Sequence, residues 1–325
     1  FLGLSAIFIP LIPVLLMLSK QMGYDRIFGV AVYMVPVVIG WATAITNPFT
    51  VQIAQQIAEV PIGSGMGMRI VMFIVCYIIG LTYIIRYGKK VKKDASRSVM
   101  AGDPFVIEGD HEISDEPVTK KHVLIGIVAM ILFSTILYAV QTMGWGIIEM
   151  TGVFFTVGLF TILISGMSGD KSMKAFIKGL EVMIVPALIV GFARGIQVVM
   201  QEAQIIDTIL FHAATILQQM PKMMAAEGMY FFQGLLNFFI PSASGQAMVS
   251  MPLMVPLADL LGITRQTAVL AFTSGDGFSN MVIPTNGVLM AILGIAIVPF
   301  EKWFKFVLPL FLILTLIAAL FLMIA

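Results

Sequence analysis

Residues 262–286 read GITRQTAVLAFTSGDGFSNMVIPTN, and residues 23–47 read GYDRIFGVAVYMVPVVIGWATAITN. The two stretches align without a gap. Each opens with a glycine three residues before an arginine, Gly23 and Arg26 in one, Gly262 and Arg265 in the other. Each closes 24 residues after that glycine on a Thr-Asn pair, Thr46-Asn47 and Thr285-Asn286. Each follows a Pro-Leu run, Pro10-Leu11 and Pro252-Leu253. A Gly-x-x-Arg match alone carries little weight. Equal spacing to a polar pair inside an otherwise apolar segment carries more, and it marks an internal repeat.

The repeat lies in a chain that is 59% hydrophobic and 11% charged over 325 residues, with a mean hydropathy of +1.00. Soluble domains carry about 25% charged residues. Successive apolar stretches each reach about 20 residues, enough to cross a bilayer as a helix. They are continuous rather than alternating, which excludes a β-barrel. The expected fold class is an all-α polytopic membrane protein. Phe1 to Leu18 lacks the basic start and small-residue cleavage site of a signal peptide and reads as an internal segment. The single cysteine, Cys76, allows no disulfide within one chain.

The expected spans are Phe1–Leu18, Ile27–Ala58 with an interruption at Asn47-Pro48, Met68–Tyr87, His122–Val140, Ile147–Ser165, Leu180–Met200 and Phe304–Ala325. Tyr230–Leu261 contains a polar break at Pro241–Gln246. Thr264–Val298 is interrupted at Asp276–Asn286. Glu202–Met220 reads as amphipathic and interfacial. Residues 88–121 read as a poorly ordered polar linker. It separates residues 1–87, the end of a first repeat, from residues 122–325, the second.

Four basic groups fix an expected sidedness: Lys89 to Lys121, Lys171 to Lys178, Lys20 with Arg26, and Lys302 with Lys305. The positive-inside rule puts all four in the cytoplasm. The spans then alternate consistently only if Phe1–Leu18 and Tyr230–Leu261 are re-entrant hairpin elements, tolerated where protein or water satisfies the tip. The first repeat copy starts inside and the second outside, an inverted-topology repeat. Such repeats set a substrate site at their interface near the bilayer midplane. Repeat regularity implies about three further spans and a hairpin arm before Phe1, so residues 1–325 alone are expected not to transport.

Enzymatic readings find no support in the residues. Ser242 stands where a rhomboid-type turn needs glycine, and no membrane histidine is available as its base. His111-Glu112 lacks the second histidine of a zincin, and no Walker A string is present. His122 and His212, like His111, sit at segment edges or in loops. No nucleic-acid partner is implied; the lipid bilayer and a small-molecule substrate are, and a homodimer is a candidate assembly.

Phe239-Ile240-Pro241-Ser242-Ala243-Ser244-Gly245-Gln246-Ala247, Gly275-Asp276-Gly277-Phe278-Ser279-Asn280 and Ile283-Pro284-Thr285-Asn286-Gly287 resemble the DcuC/YfcC family. So do Thr46-Asn47-Pro48-Phe49 and the basic run from Arg86 to Lys93. The resemblance covers essentially the whole chain. It implies the ion transporter superfamily architecture: a scaffold and a transport domain, with two hairpins and two broken helices enclosing substrate and coupling ions. It also implies a cation-coupled or exchange carrier of the bacterial inner membrane. Substrates in the family are C4-dicarboxylates and amino acids such as arginine and ornithine. A channel for small solutes is the alternative.

The candidate substrate-binding residues are Thr46, Asn47, Thr50, Ser242, Ser244, Gly245, Gln246, Thr285, Asn286 and Arg194. Pro48 frees a backbone carbonyl, although an ordinary proline kink explains the same pattern. The amides of the 241–246 turn suit a carboxylate, as helix N-termini do. Arg194, in Gly191-x-x-x-Gly195, is a substrate or gating contact, a residue that snorkels outward, or part of a packing motif. Arg26, Arg69 and Arg265 read as anchors at the membrane interface. Asp276, with Ser279 and Asn280, is the candidate ion-coupling group, for Na⁺ or a proton. Glycines on both sides of Asp276 are expected to loosen the helix and free carbonyls. Binding a basic substrate group, or pairing with Arg194, are the other roles open to it.

Overall fold

The computed structural model describes residues 9, 11–105, 119–143, 145 and 147–325, and all regular structure among them is helical. His111 and the stretch 106–118 lie outside the described residues, as does the side chain of Arg194. The described residues form two compact units. One holds those up to 105 and from 185 onward; the other holds 119–184.

In the first unit, α1 (Ile12–Gln21) turns at Gly23, which has φ 77°, into α2 (Arg26–Ala42). The Asp25 carboxylate caps α2 by accepting from Phe28 N at 2.8 Å. The chain leaves α2 at Thr43 and re-enters a helix at Pro48. Asn47 caps this second piece: its Oδ1 accepts from Phe49 N at 2.9 Å. The piece begins as a π-helix, Pro48–Gln52, and continues as α3 (Ile53–Ile57). After Glu59, at φ 52°, comes α4 (Met66–Lys93).

The same order of elements recurs later in the chain. Following α9 (Lys222–Phe239), α10 (Ala243–Leu260) turns at Gly262, φ 67°, into α11 (Arg265–Ser279). Asn286 caps α12 (Gly287–Ile295), its Oδ1 accepting from Val288 N at 3.0 Å and Leu289 N at 3.2 Å. Ile297, φ 50°, precedes α13 (Phe300–Ile324). Glycine or a rare left-handed residue stands at both turns of both sets because only that backbone region reverses the chain so tightly.

Two contacts tie the sets together reciprocally. Arg26 Nη1 donates to the carbonyls of Ala296 (3.5 Å) and Ile297 (2.7 Å), at the C-terminal end of α12. Arg265 Nη1 donates to the carbonyl of Ala58 (3.1 Å), at the C-terminal end of α3. A guanidinium at a helix C-terminus satisfies carbonyls left without intrahelical donors and complements the negative end of the dipole. Arg26 is 4% exposed and Arg69 only 1%. Neither is exposed as a snorkelling interfacial anchor would be: Arg26 is held by the Ala296 and Ile297 carbonyls, and Arg69 by Thr273 Oγ1 and the Ala44 carbonyl.

α2 and α11 start from opposite ends of α4. Gln266 and Ser64 exchange hydrogen bonds of 2.9 and 3.0 Å where α4 begins. At the far end the Tyr87 hydroxyl donates to Asp25, and Gly88 leaves room for the Phe28 ring. The 28 residues of α4 span roughly 42 Å at 1.5 Å per residue.

Among the described residues, α4 and α13 are individually long and apolar enough to cross a bilayer, with mean hydropathies of 2.2 and 3.0. The apolar runs Ile27–Ala58, Tyr230–Leu261 and Thr264–Val298 are each cut into shorter helices. The cuts fall at 43–47, 240–242 and 280–286. On α4, Met72, Cys76, Gly80, Ile84 and Gly88 make a buried ridge at four-residue spacing. Val71, Ile74, Ile78, Leu81 and Ile85 face outward. Such a continuous exposed apolar face suits lipid and not water. α8 (Ile205–Leu217) is the separate helix expected for 202–220, with Ile206, Leu210, Ala214 and Leu217 buried on one face.

α4 also continues through Lys93, into the stretch read as linker. Beyond it, Ser98 donates to Asp25, Val99 N to Tyr87 Oη, and Lys302 to Asp103. The segment 94–105 is thus packed against the first unit, held by polar contacts that apolar periodicity does not reveal.

In the second unit, α5 (Lys120–Thr142) and α6 (Ile147–Ser165) pack on each other, and α7 (Gly169–Glu202) leads out of it. Thr119 and His122 form a reciprocal capping box at the start of α5.

Candidate functional site

α11 is the buried centre of the first unit. Every residue from Thr267 to Ser279 is buried. Its neighbours approach so closely that side chains are excluded. A Cβ on Gly275 would collide with the carbonyl oxygen of Tyr230 and lie 2.9 Å from Gln233 Cβ on α9. A Cβ on Gly277 would collide with the backbone of Ala42 at the end of α2. The two glycines beside Asp276 therefore do not unwind the helix, as expected from their flexibility. α11 runs unbroken through them to Ser279, and their role is close packing.

The breaks expose carbonyls, and specific side chains satisfy them. Ser274 Oγ donates to Ala42 O at 3.3 Å, and Arg69 Nη1 to Ala44 O at 3.4 Å. Gln52 Nε2 donates to Thr46 O at 3.1 Å. Trp303 Nε1 donates to Met281 O at 2.9 Å, and Asn286 Nδ2 to Asn280 Oδ1 at 2.7 Å. The Asp276 carbonyl accepts from Asn237 Nδ2 (2.9 Å), Ser279 Oγ (3.0 Å) and Asn280 Nδ2 (2.7 Å). Each such bond is worth about 0.5–1.5 kcal/mol net, but an unmade buried one costs about 1–3 kcal/mol.

Against this background, the atoms left over stand out. Both carboxylate oxygens of Asp276, 1% exposed, lack a hydrogen-bond partner among the described residues. So do Asn237 Oδ1, Asn47 Nδ2, Thr50 Oγ1, Thr285 Oγ1 and Gln246 Oε1. Of these residues Asn237 is the one hydrogen-bonded to the Asp276 backbone, and a carboxylate with unpartnered oxygens can take a proton or a hard cation. No group of three or more His, Cys, Asp and Glu with metal-binding arrangement occurs among the described residues.

The structure joins some of the candidate residues and separates others. Asp276, Ser279, Asn280 and Asn286 form one hydrogen-bonded chain at the second break. Asn47 and Thr50 are buried at the first. Thr46, Thr285, Asn286, Ser244 and Gly245 are half-buried. Ser242 caps α10, its Oγ accepting from Gly245 N at 3.4 Å. Gln246 turns inward: its Nε2 donates to Gln233 O (2.8 Å) and Oε1 (2.7 Å), and Ser250 Oγ also reaches Gln233 Oε1 at 3.0 Å. No hydrogen bond among the described residues links Ser242, Ser244 or Gln246 to Thr46, Asn47 or Asn286.

Sequence reasoning missed Gln233, Asn237, Arg69 and Thr273. Gln233 and Asn237 lie four residues apart in an apolar run, as do Gln246 and Ser250. That spacing places each pair on one helix face, and it is the signal that marks a polar stripe inside a hairpin.

Residues 2–325 match the C4-dicarboxylate anaerobic carrier family, DcuC. The chain belongs to this family. Among curated proteins it is 39% identical over 300 residues to an Escherichia coli (strain K12) protein named "Putative basic amino acid antiporter YfcC", covering 89% of this chain. It is 30% identical over 317 residues, 96% of this chain, to an uncharacterized protein of Haemophilus influenzae. The chain spans 59% and 62% of the lengths of these two relatives. No solved structure matches it. The family, by its description, is one of carriers.

Proposed function

We propose that this chain is the major part of a secondary active carrier for a small carboxylate-bearing metabolite, a C4-dicarboxylate or an amino acid such as arginine or ornithine. Transport is coupled to a cation or to exchange, in the bacterial inner membrane. The observation that carries the reading is the Asp276 carboxylate, buried in the centre of the first unit of a carrier-family protein, with neither oxygen partnered among the described residues. An ionisable group at membrane depth marks an ion or substrate path by default.

Two supports stand beside it. The recurrence of helix, glycine turn, helix, asparagine-capped broken helix and long helix favours a two-fold repeat. Its reciprocal Arg26 and Arg265 contacts, and the start of α2 and α11 from opposite ends of α4, favour an inverted one. In that reading the breaks at 43–47 and 280–286 face a common site, and Thr46, Asn47, Thr50, Thr285 and Asn286 line it with Ser242, Ser244, Gly245 and Gln246. Asp276 with Ser279, Asn280 and Asn237 forms the site for Na⁺ or a proton. Lys89, Lys90, Lys92 and Lys93 at the end of α4 favour a cytoplasmic side for that end and for the 94–105 segment.

The test uses the full-length carrier in proteoliposomes. Trans-side substrate should accelerate uptake of labelled substrate, as a carrier does and a channel does not. Asp276→Asn should abolish gradient-driven uptake while leaving exchange. Gradient-driven uptake by Asp276→Asn at the wild-type level, with unchanged ion and pH dependence, would remove Asp276 from the coupling machinery.

A further inference from the structure

Arg69 differs from the other arginines that reach into the core. It sits in the first turn of α4, 1% exposed. Its Nη1 is held from two sides, by Thr273 Oγ1 at 2.9 Å and by the Ala44 carbonyl at 3.4 Å. Its Nε and Nη2 have no hydrogen-bond partner among the described residues. Arg26 lies 4.0 Å from Asp103, and Arg265 lies 2.9 Å from both Glu59 and Asp259. No ion pair among the described residues includes Arg69.

The two free nitrogens form one edge of the guanidinium. That edge presents two parallel N–H donors, the geometry that takes a carboxylate bidentately. With Nη1 pinned, the plane cannot turn to spread its donors elsewhere. A buried cation lacking a counter-charge is costly, so an anion that reaches this edge gains both a fork of hydrogen bonds and a neutralised charge. A cavity of about 60 Å³, lined by Gly65, Met68, Gln266, Leu270 and Ala325, adjoins Arg69 between α4 and α11.

Ala44 belongs to the first break and Thr273 to α11, so the two groups that hold Nη1 tie Arg69 to the interruption that follows α2.

We propose that Arg69 takes the carboxylate of the transported substrate through its Nε–Nη2 edge. The proposal rests on the carrier reading above and narrows it.

The test is titration calorimetry on the full-length carrier in detergent, with L-arginine, L-ornithine, L-serine and succinate, and then the methyl ester of whichever binds tightest. The methyl ester should bind about 10- to 100-fold more weakly than its acid, the worth of hydrogen bonds to a charged group. Arg69→Lys keeps the charge and a donor for Ala44 and Thr273 but loses the fork. It should bind the acid about 10- to 100-fold more weakly and show a smaller ratio of acid to ester affinity than the wild type. If Arg69→Lys does not fold, Thr273→Val serves instead. It frees the guanidinium, so acid binding should fall while ester binding holds. A wild-type ratio of acid to ester affinity in the variant overturns the proposal, as does an ester that binds the wild type as tightly as the acid. If counterflow persists in any of these cases, the carrier reading survives and the role of Arg69 alone fails. If no probe binds and no counterflow occurs, the carrier reading fails and this inference with it.

Discussion

Gly277→Ala isolates the close packing at the centre of the first unit. The added methyl would sit 2.6 Å from Ala42 Cβ and closer still to Ala42 N and Cα. Ordinary carbon contacts lie at about 3.5–4.0 Å, so α2 and α11 must separate locally by about 1 Å. Two of the three obstructing atoms are backbone, so no rotamer change relieves the contact. Overpacking costs about 1–3 kcal/mol, and an immovable backbone puts this position toward the upper end. For a chain of this size, each kcal/mol lowers the melting temperature by about 2–4 °C. The expected fall is roughly 4–12 °C. Gly40→Ala on α2 is the control, because nothing lies within 4 Å of the place its methyl would take and it replaces a poor helix former with a good one. Heating the detergent-solubilised full-length protein and following its monodisperse fraction by size-exclusion chromatography gives both values. If Gly277→Ala melts within a degree or so of Gly40→Ala, the direct contact of α11 with the end of α2 is refuted.

Asn237→Ala removes donors to Asp276 O and Ser279 Oγ; a stability loss of about 1–2 kcal/mol and reduced uptake are expected, and unchanged melting and uptake would contradict the network. Arg26→Ala should destabilise more than Arg265→Ala, since Arg26 is buried on its carbonyls while the Arg265 side chain is 34% exposed; the reverse order in thermal melts would count against the capping role. The hydrogen bond from Lys302 holds the Asp103 carboxyl below the usual carboxylate range. Its folded-state pKa is depressed, so its contribution is present above the unfolded value and is lost as pH falls through the folded one. Hydrogen-exchange protection of 94–105 should therefore persist from pH 7 to about 4 and fall only below that; loss between pH 7 and 5 would contradict this pairing. A single cysteine at the exposed Ser96 should react with an impermeant maleimide in inverted vesicles and not in intact cells; labelling of intact cells would reverse the proposed orientation.

The sequence by itself determined the class of this protein and the positions of its interruptions. Apolar runs punctuated by Asn47-Pro48, Pro241-Ser242 and Pro284-Thr285-Asn286 give broken helices because proline and asparagine act locally, on φ and on the amides just after them. The equal spacing from Gly23 to Asn47 and from Gly262 to Asn286 was legible for the same reason: turn and cap chemistry is local. What the side chains meet was not legible. Gly275 and Gly277 look like flexibility until α9 and α2 are seen against them. Arg26 and Arg69 look like interfacial anchors because a cation near a span end ordinarily snorkels toward water. Their carbonyl partners are Ala296 and Ile297, 270 residues away or more, and Ala44, 25 residues away. Gln246 turned inward to Gln233, and 94–105 packed where charge suggested a loose linker. In each case the deciding partner came from another helix, and a free backbone carbonyl in a buried break attracts whichever donor tertiary packing brings to it.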